Sequence, residues 1–276
     1  MAVQLNQVFS PLSYQELFTS WGRFPEAIPY AGGTGLIRLQ GRQILELPPV
    51  ILSLEQLEDM HRISRSERYL EIGAMVKLSQ IIDLGKTVPR ALRHCLENIA
   101  GPQLRNMATI GGNICFPGGR LDSSAALAAL DAQYELRCAQ SARWISASRF
   151  SSTPGPPALN PQELLTRIRV PLDHWDYSVY KKFTGQPSCG RVVVFLAKTS
   201  KDVLSDIRIV CKTGSILRNR SGESILIGKQ LPLSRRIIPE FTGHWEDFLS
   251  EAPDMDELSR KELLNFIEVN VDNLAA

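Results

Sequence analysis

The 276-residue sequence lacks the features that mark several large classes of protein. No apolar run approaches the roughly 20 residues that cross a bilayer, and no basic stretch followed by an apolar one opens the chain. We therefore predict a cytoplasmic protein with no secretory signal and no membrane association. Lysine and arginine are scattered and the net charge is only +2, so nucleic-acid binding is not expected.

Metal ligands and catalytic side chains are also scarce. The five cysteines form no CxxC pair, and the four histidines show no HExxH spacing. This argues against an iron–sulfur cluster or structural zinc held by this chain alone. The odd cysteine count in a cytoplasmic setting predicts free thiols. Since neither a nucleophilic triad nor paired catalytic carboxylates stand at telling spacings, any redox chemistry would need an organic cofactor.

Hydrophobic residues make up 43% of the chain, enough for a sizeable core, and the length predicts two or more lobes. Residues 151–161 are rich in proline and small residues, which places a domain boundary near Leu172, between residues 1–172 and 173–276. Local patterns predict helices at residues 13–18, 54–60, 78–84, 89–99, 123–130 and 256–274, and strands at 28–30, 43–47, 69–72, 133–138, 164–170, 192–197 and 207–212.

Two glycine-rich segments carry the strongest functional signal. Glycine admits unusual φ angles, lets backbone N–H groups point at an anion and lets phosphate oxygens approach the main chain. One such motif alone is usually a tight turn, and neither fits GxGxxG. Together they predict two amide cradles that hold both phosphates of a dinucleotide. The segments are Ala31, Gly32, Gly33, Thr34, Gly35 and Leu36, and Thr109, Ile110, Gly111, Gly112 and Asn113.

The surrounding residues extend these motifs. The first segment reads AGGTGL, the second continues a longer LRNMATIGGN at residues 104–113, and IGA and LAALDA stand at residues 72–74 and 127–132. In this order and spacing, from about residue 30 to 171, the sequence resembles the FAD-binding subunit of the xanthine dehydrogenase and carbon monoxide dehydrogenase family. The resemblance implies an α+β fold. A two-lobed FAD-binding domain of the vanillyl-alcohol-oxidase (PCMH) type would precede a smaller α+β domain with an antiparallel sheet and C-terminal helices.

The resemblance also implies roles for single residues. Both glycine segments would wrap the FAD pyrophosphate with its neighbouring ribose and ribityl. Asp122 matches an acidic residue that accepts a hydrogen bond from an FAD hydroxyl, Ile99 and Leu165 match apolar positions near adenine, and Lys181 matches a lysine near the flavin end. From the residues alone, Asp122 could instead cap the following helix, Ile99 and Leu165 could be core residues, and Lys181, beside Lys182, could be a solvated lysine.

The sequence departs from the family at three places, one of which is residues 116–120 (FPGGR), where the family has a more regular small-residue stretch. Gly35 stands where an acidic residue is usual, and Gly185 and Gln186 replace paired arginines. These changes leave the glycine segments intact but alter the surroundings of the flavin ring. We expect Arg105, just before the second segment, to brace that loop rather than to contact a substrate.

The function that the resemblance implies is an FAD-binding electron-transfer subunit of a molybdopterin-dependent hydroxylase complex. An iron–sulfur [2Fe-2S] subunit and a molybdopterin-binding large subunit would be its partner chains, and electrons would leave FAD for NAD+ or another acceptor. Two alternatives stay open. One is a non-catalytic assembly subunit with a degraded flavin site, and the other is a free-standing flavin oxidoreductase.

Overall fold

The computed structural model describes residues 7–40, 47–116, 122–151, 158–183, 191–252 and 255–275. The first lobe is built on a small parallel sheet in the order β1-β3-β2. Its elements are β1 (Gln7–Phe9), α1 (Tyr14–Arg23), β2 (Ile28–Tyr30), α2 (Thr34–Gln40) and β3 (Val50–Ser53).

A capping box begins helix α1. The Ser13 side chain accepts a hydrogen bond from the Glu16 N–H at 3.2 Å, as the sequence predicts. The Glu16 carboxylate returns the bond to the N–H of Leu12, at 2.9 Å, one residue before the usual position. Both bonds satisfy N–H groups at the start of the helix, which then buries one face against the sheet.

The second lobe holds a five-stranded antiparallel sheet in the order β4-β5-β8-β6-β7. Every residue of its helix α7 is buried, because the helix consists mainly of serine and alanine and neighbouring elements approach closely. Its elements are β4 (Ile63–Arg65), β5 (Tyr69–Gly73), α3 (Leu78–Asp83), α4 (Arg90–Glu97), α5 (Pro102–Arg105), α6 (Ile110–Ile114), α7 (Ser123–Ala129), β6 (Gln133–Arg137), β7 (Ala142–Ser146), α8 (Ala147–Phe150) and β8 (Leu164–Pro171).

The C-terminal part contains a four-stranded antiparallel sheet in the order β12-β11-β10-β9. Both faces are buried, because Val192 and Val194 pack into the core of the second lobe while Val193 and Phe195 pack against the C-terminal helices. Its elements are β9 (Tyr177–Phe183), β10 (Arg191–Ser200), β11 (Val203–Lys212), β12 (Ile216–Arg218), α9 (Arg220–Leu226), α10 (Ile237–Ser250) and α11 (Glu257–Ala275).

The α+β class and the C-terminal antiparallel sheet are confirmed, and most predicted elements agree within a few residues. The helix predicted at residues 54–60 is wrong, because only a 3₁₀ turn, Glu58–His61, forms there. Residues 43–46 of one predicted strand lie outside the described part. Strands β7 and β9 and helix α10 are among the elements that were not predicted. The two strands alternate only weakly between buried and exposed residues.

The boundary near Leu172 stays a prediction, because the sheet that follows it shares a core with the second lobe. Four cysteines in the described ranges are free, and Cys189 lies outside them. None of the described helices combines the length and apolar character that a membrane span requires.

Candidate functional site

A cavity of about 830 Å³ lies between the first and second lobes, near the upper end of the roughly 300–1,000 Å³ typical of ligand pockets. Its walls are mainly apolar, and both glycine segments contribute to them. The structure therefore brings most of the predicted site residues together. Those that line the cavity are Ala31, Gly32, Gly33, Thr34, Gly35, Leu36, Ile99, Thr109, Gly111, Gly112, Asn113 and Leu165.

The first glycine segment has the open backbone that an anion cradle requires. Gly33 adopts a φ of +68°, and a Cβ there would lie 2.2 Å from the Tyr30 hydroxyl oxygen. The Gly33 carbonyl accepts a hydrogen bond from the Leu36 N–H at 3.1 Å, which closes the turn. Within the described ranges, the N–H groups of Gly32, Gly33 and Thr34 bond to no other backbone group. They remain available to a ligand in the cavity.

The second glycine segment differs from its prediction. The Ile110 N–H donates to the Val76 carbonyl at 2.9 Å, and the Gly111 N–H donates to the Ala74 carbonyl at 2.8 Å. The expected amide cradle is therefore wrong for residues 110–113, because these two donors and those of Gly112 and Asn113 are used inside the protein. Gly111 has a packing role instead, since a Cβ there would lie only 2.7 Å from the Ala74 carbonyl oxygen. Ile110 is fully buried behind the cavity wall.

The second segment forms the short helix α6 rather than a loop. Thr109 caps it, because its hydroxyl oxygen accepts a hydrogen bond from the Gly112 N–H at 3.1 Å. The two glycine segments nevertheless lie side by side. A methyl group added at Gly112 would be 3.9 Å from Cβ of Ala31, and one added at Gly32 would collide with the Met107 carbonyl.

The charged side chains that line the described part of the cavity are already paired. Arg105 donates from one guanidinium nitrogen to the carbonyl oxygens of Glu97, Ile99 and Ala100, at 2.9, 3.1 and 2.6 Å, so it braces the turn between α4 and α5 rather than the second glycine segment. Glu163 accepts two hydrogen bonds from Arg143, at 2.6 and 2.7 Å, which lower the pKa of its carboxyl group. An anionic ligand here would depend on backbone N–H groups.

The ring of Phe116 packs beside Gly35, in the space that a side chain at position 35 would need. A Cβ at Gly35 would lie 2.8 to 2.9 Å from two carbon atoms of the Phe116 ring. The aromatic ring therefore lines the cavity in the space where any larger residue at position 35 would place its side chain. The sequence showed the missing acidic residue, but only the structure shows what packs beside it.

Asp122 and Lys181 do not line the cavity, and their surroundings differ from each other. Asp122 is buried at the N-cap position of α7, where its side chain makes no capping bond and pairs with Lys182 at 2.7 Å. Lys181 is exposed and lies opposite Val193 on the other face of the sheet. Because side chains alternate along a strand, only one of the two lysines can reach Asp122, and it is Lys182.

Three more buried polar groups stand near this ion pair, and no local sequence pattern indicates their burial. Burial raises the pKa values of the Cys95 thiol and the Tyr180 hydroxyl, and it lowers the pKa of the Lys212 amine to about 8. Asp122 interacts electrostatically with all three. Lys212 ends a predicted strand, but its burial depends on the second lobe, which covers that face.

The fold and cavity together define a two-lobed, cofactor-binding protein with a third, sheet-containing part. Residues 3–173, more than half of the chain, match the family described as the FAD binding domain in molybdopterin dehydrogenase. This chain belongs to that family, and FAD is its cofactor. The first glycine segment fits such a group, because its open N–H groups can meet the pyrophosphate in a cavity without a free cation among the described residues.

Relatives by sequence include medium subunits of dehydrogenases and hydroxylases. The chain is 33% identical over 156 residues to the glyceraldehyde dehydrogenase medium chain of Sulfolobus acidocaldarius. These residues make up 56% of this chain and 55% of that protein. It thus spans about half the length of that relative. It is 27% identical over 215 residues to the nicotine 6-hydroxylase medium subunit of Paenarthrobacter nicotinovorans, covering 74% of each.

Solved structures establish the fold over almost the whole chain. A chain of the cyanide-inactivated Cu,Mo-CO dehydrogenase superimposes with a TM-score of 0.80 at 23% identity, covering 98% of this chain and 96% of that one. A chain of quinoline 2-oxidoreductase from Pseudomonas putida 86 gives a TM-score of 0.78 at 20% identity, covering 100% and 97%.

Proposed function

We propose that this chain is the FAD-binding electron-transfer subunit of a cytoplasmic molybdopterin-dependent hydroxylase complex. A [2Fe-2S] subunit supplies the electrons, a molybdopterin-binding large subunit oxidises the substrate, and FAD passes the electrons to NAD+ or another acceptor. Substrate specificity then belongs to the large subunit. The medium subunits among the relatives support this division of labour.

The open N–H groups of the first glycine segment are the observation that carries the proposal. They lie in an apolar cavity whose charged side chains, among the described residues, are already paired. Such a cavity can bind and orient a large cofactor, but its own side chains have little chemistry to offer. The bound flavin would supply the redox chemistry, and the protein would supply position and electrostatics.

The other site residues follow from this placement. In the proposal, the first segment holds the pyrophosphate, while Thr109 and Asn113 form the facing wall through their side chains. Ile99 and Leu165 provide apolar contacts for the adenine. Asp122 accepts a hydrogen bond from an FAD hydroxyl, and its partner Lys182 takes the role near the flavin end that the resemblance assigned to Lys181.

The visible absorption spectrum of the purified chain tests FAD binding. We expect flavin bands near ~450 nm, either as isolated or after adding FAD and removing the excess. A folded protein that stays colourless after this treatment would contradict the proposal. It would favour the assembly subunit with a degraded flavin site, which the Gly35 and Phe116 arrangement keeps as the second candidate.

Purification from the native host at low salt tests the partners. We expect the tagged chain to bring with it one chain that contains a [2Fe-2S] cluster and one that contains molybdopterin. Electron paramagnetic resonance and metal analysis identify the two groups. An FAD-loaded chain that is recovered alone, and that reduces an acceptor by itself, would instead indicate a free-standing flavin oxidoreductase.

A further inference from the structure

Two lysines stand in one row on the sheet face that covers the second lobe. Lys182 on β9 and Lys212 on β11 both lie opposite Val192 of the strand between them. Residues opposite each other in a sheet point to the same side, and neighbouring strands are about 4.8 Å apart. Val192 packs into the core of the second lobe. The side chains of both lysines therefore project from the face of the sheet that packs against the second lobe.

Only one of these lysines has an ion-pair partner within the described chain. Asp122 of the second lobe pairs with Lys182 at 2.7 Å. Lys212 is only 6% exposed, and no hydrogen bond or ion pair joins its ammonium group to any described residue. The Tyr180 hydroxyl, one row further along the same face, is also buried, and the polar groups next to it are those of Cys95 and Asp122. Leaving an almost buried ammonium group unpaired is costly, so Lys212 requires a partner.

The neighbouring wall of the cofactor cavity shows where that partner can come from. Ser123, next to Asp122, donates a hydrogen bond to Asn113 at 2.5 Å, and Asn113 lines the cavity. Lys212 and Tyr180 do not line the cavity themselves, but both interact electrostatically with Asp122, which connects them to its Asn113 side. The flavin ring system carries several carbonyl and nitrogen acceptors. The charged side chains that line the described part of the cavity are already paired, so none of them is available as a cationic partner for these acceptors.

We propose that Lys212 contacts the polar edge of the flavin ring, with the Tyr180 hydroxyl beside it, and sets the reduction potential of the flavin. This inference rests on the proposed function, because it requires bound FAD. A flavin gains negative charge when it is reduced, so an adjacent ammonium group favours the reduced form. Lys212 is then a tuning residue for the cofactor in addition to Lys182, whose charge Asp122 already balances.

Spectroelectrochemical titration of the FAD-loaded full chain tests the role of Lys212. Lys212→Met keeps the apolar stem and removes the charge, and Lys229→Met, at an exposed lysine of the same sheet domain, is the matched control. We expect Lys212→Met to disfavour the reduced flavin at least tenfold, about 30 mV for a two-electron couple. The flavin absorption bands should also shift, while Lys229→Met should match the wild type.

The outcomes separate this inference from the proposed function. Wild-type protein that binds no FAD rejects the proposed function itself. If wild type and Lys212→Met both bind FAD with the same spectrum and potential, Lys212 does not contact the ring. A folded Lys212→Met that alone loses FAD supports the contact. If Lys212→Met does not fold, Tyr180→Phe decides: shifted flavin bands support the proposal and unchanged bands overturn it.

Discussion

The two glycine segments contain similar residues but use their glycines in different ways. In the first segment, Gly33 has a positive φ and the N–H groups stay open toward the cavity. In the second, Gly111 permits close packing on Ala74, and its N–H is bonded inside the protein. The comparison teaches that a glycine motif can serve a ligand or a backbone contact. Substitutions can separate these two uses.

Gly32→Ala should have the largest effect on cofactor binding. A Cβ at this position would lie 1.9 Å from the Met107 carbonyl oxygen, and a backbone atom cannot move away as a flexible side chain can. The first segment must therefore shift, and its open N–H groups move with it. We expect FAD affinity to fall at least 100-fold, about 2.7 kcal/mol, measured by absorbance or fluorescence titration. Near-normal affinity in the variant would mean that this segment does not hold the pyrophosphate.

Gly111→Ala should act mainly on folding stability. The added Cβ would lie 2.6 Å from the Ala74 side chain and 2.7 Å from its carbonyl oxygen. Overpacking of this kind lowers the free energy of unfolding by about 1–3 kcal/mol. Chemical denaturation of the apoprotein measures the loss, which should appear without FAD present. A variant with wild-type apoprotein stability and impaired FAD binding would show that the second segment, too, serves the ligand directly.

The sequence predicted the locations of both segments because glycine and its neighbours form a local pattern. It could not predict which N–H groups stay open, since that depends on Ala74 and Val76, which the fold brings against the second segment. The sequence left the choice between Lys181 and Lys182 open for a related reason. Strand β9 was not predicted, so its alternation could not be applied. The burial of Lys212 requires the second lobe and has no local signal.

Thr109→Val should sharpen the comparison by removing the cap of the second segment. Valine keeps the shape but cannot accept the hydrogen bond from the Gly112 N–H. We expect a loss of about 0.5–2 kcal/mol in the free energy of unfolding. Thr109→Ser, which keeps the hydroxyl oxygen, is the control and should retain most of the stability. A loss in Thr109→Ser with none in Thr109→Val would place the importance of Thr109 in its methyl group rather than in the cap.

Gly243→Ala should give the smallest effect, and this effect should be a gain rather than a loss in the free energy of unfolding. Gly243 lies inside helix α10, and a Cβ there would meet nothing within 4 Å. Neither ligand binding nor close packing requires this glycine, so alanine should raise the free energy of unfolding by about 0.5–1 kcal/mol through helix propensity. FAD affinity should not change. Destabilisation of the variant would show that α10 requires glycine at this position, for a partner surface or for a packing constraint that the isolated chain does not show. That requirement would be a third use of glycine beside the two compared above.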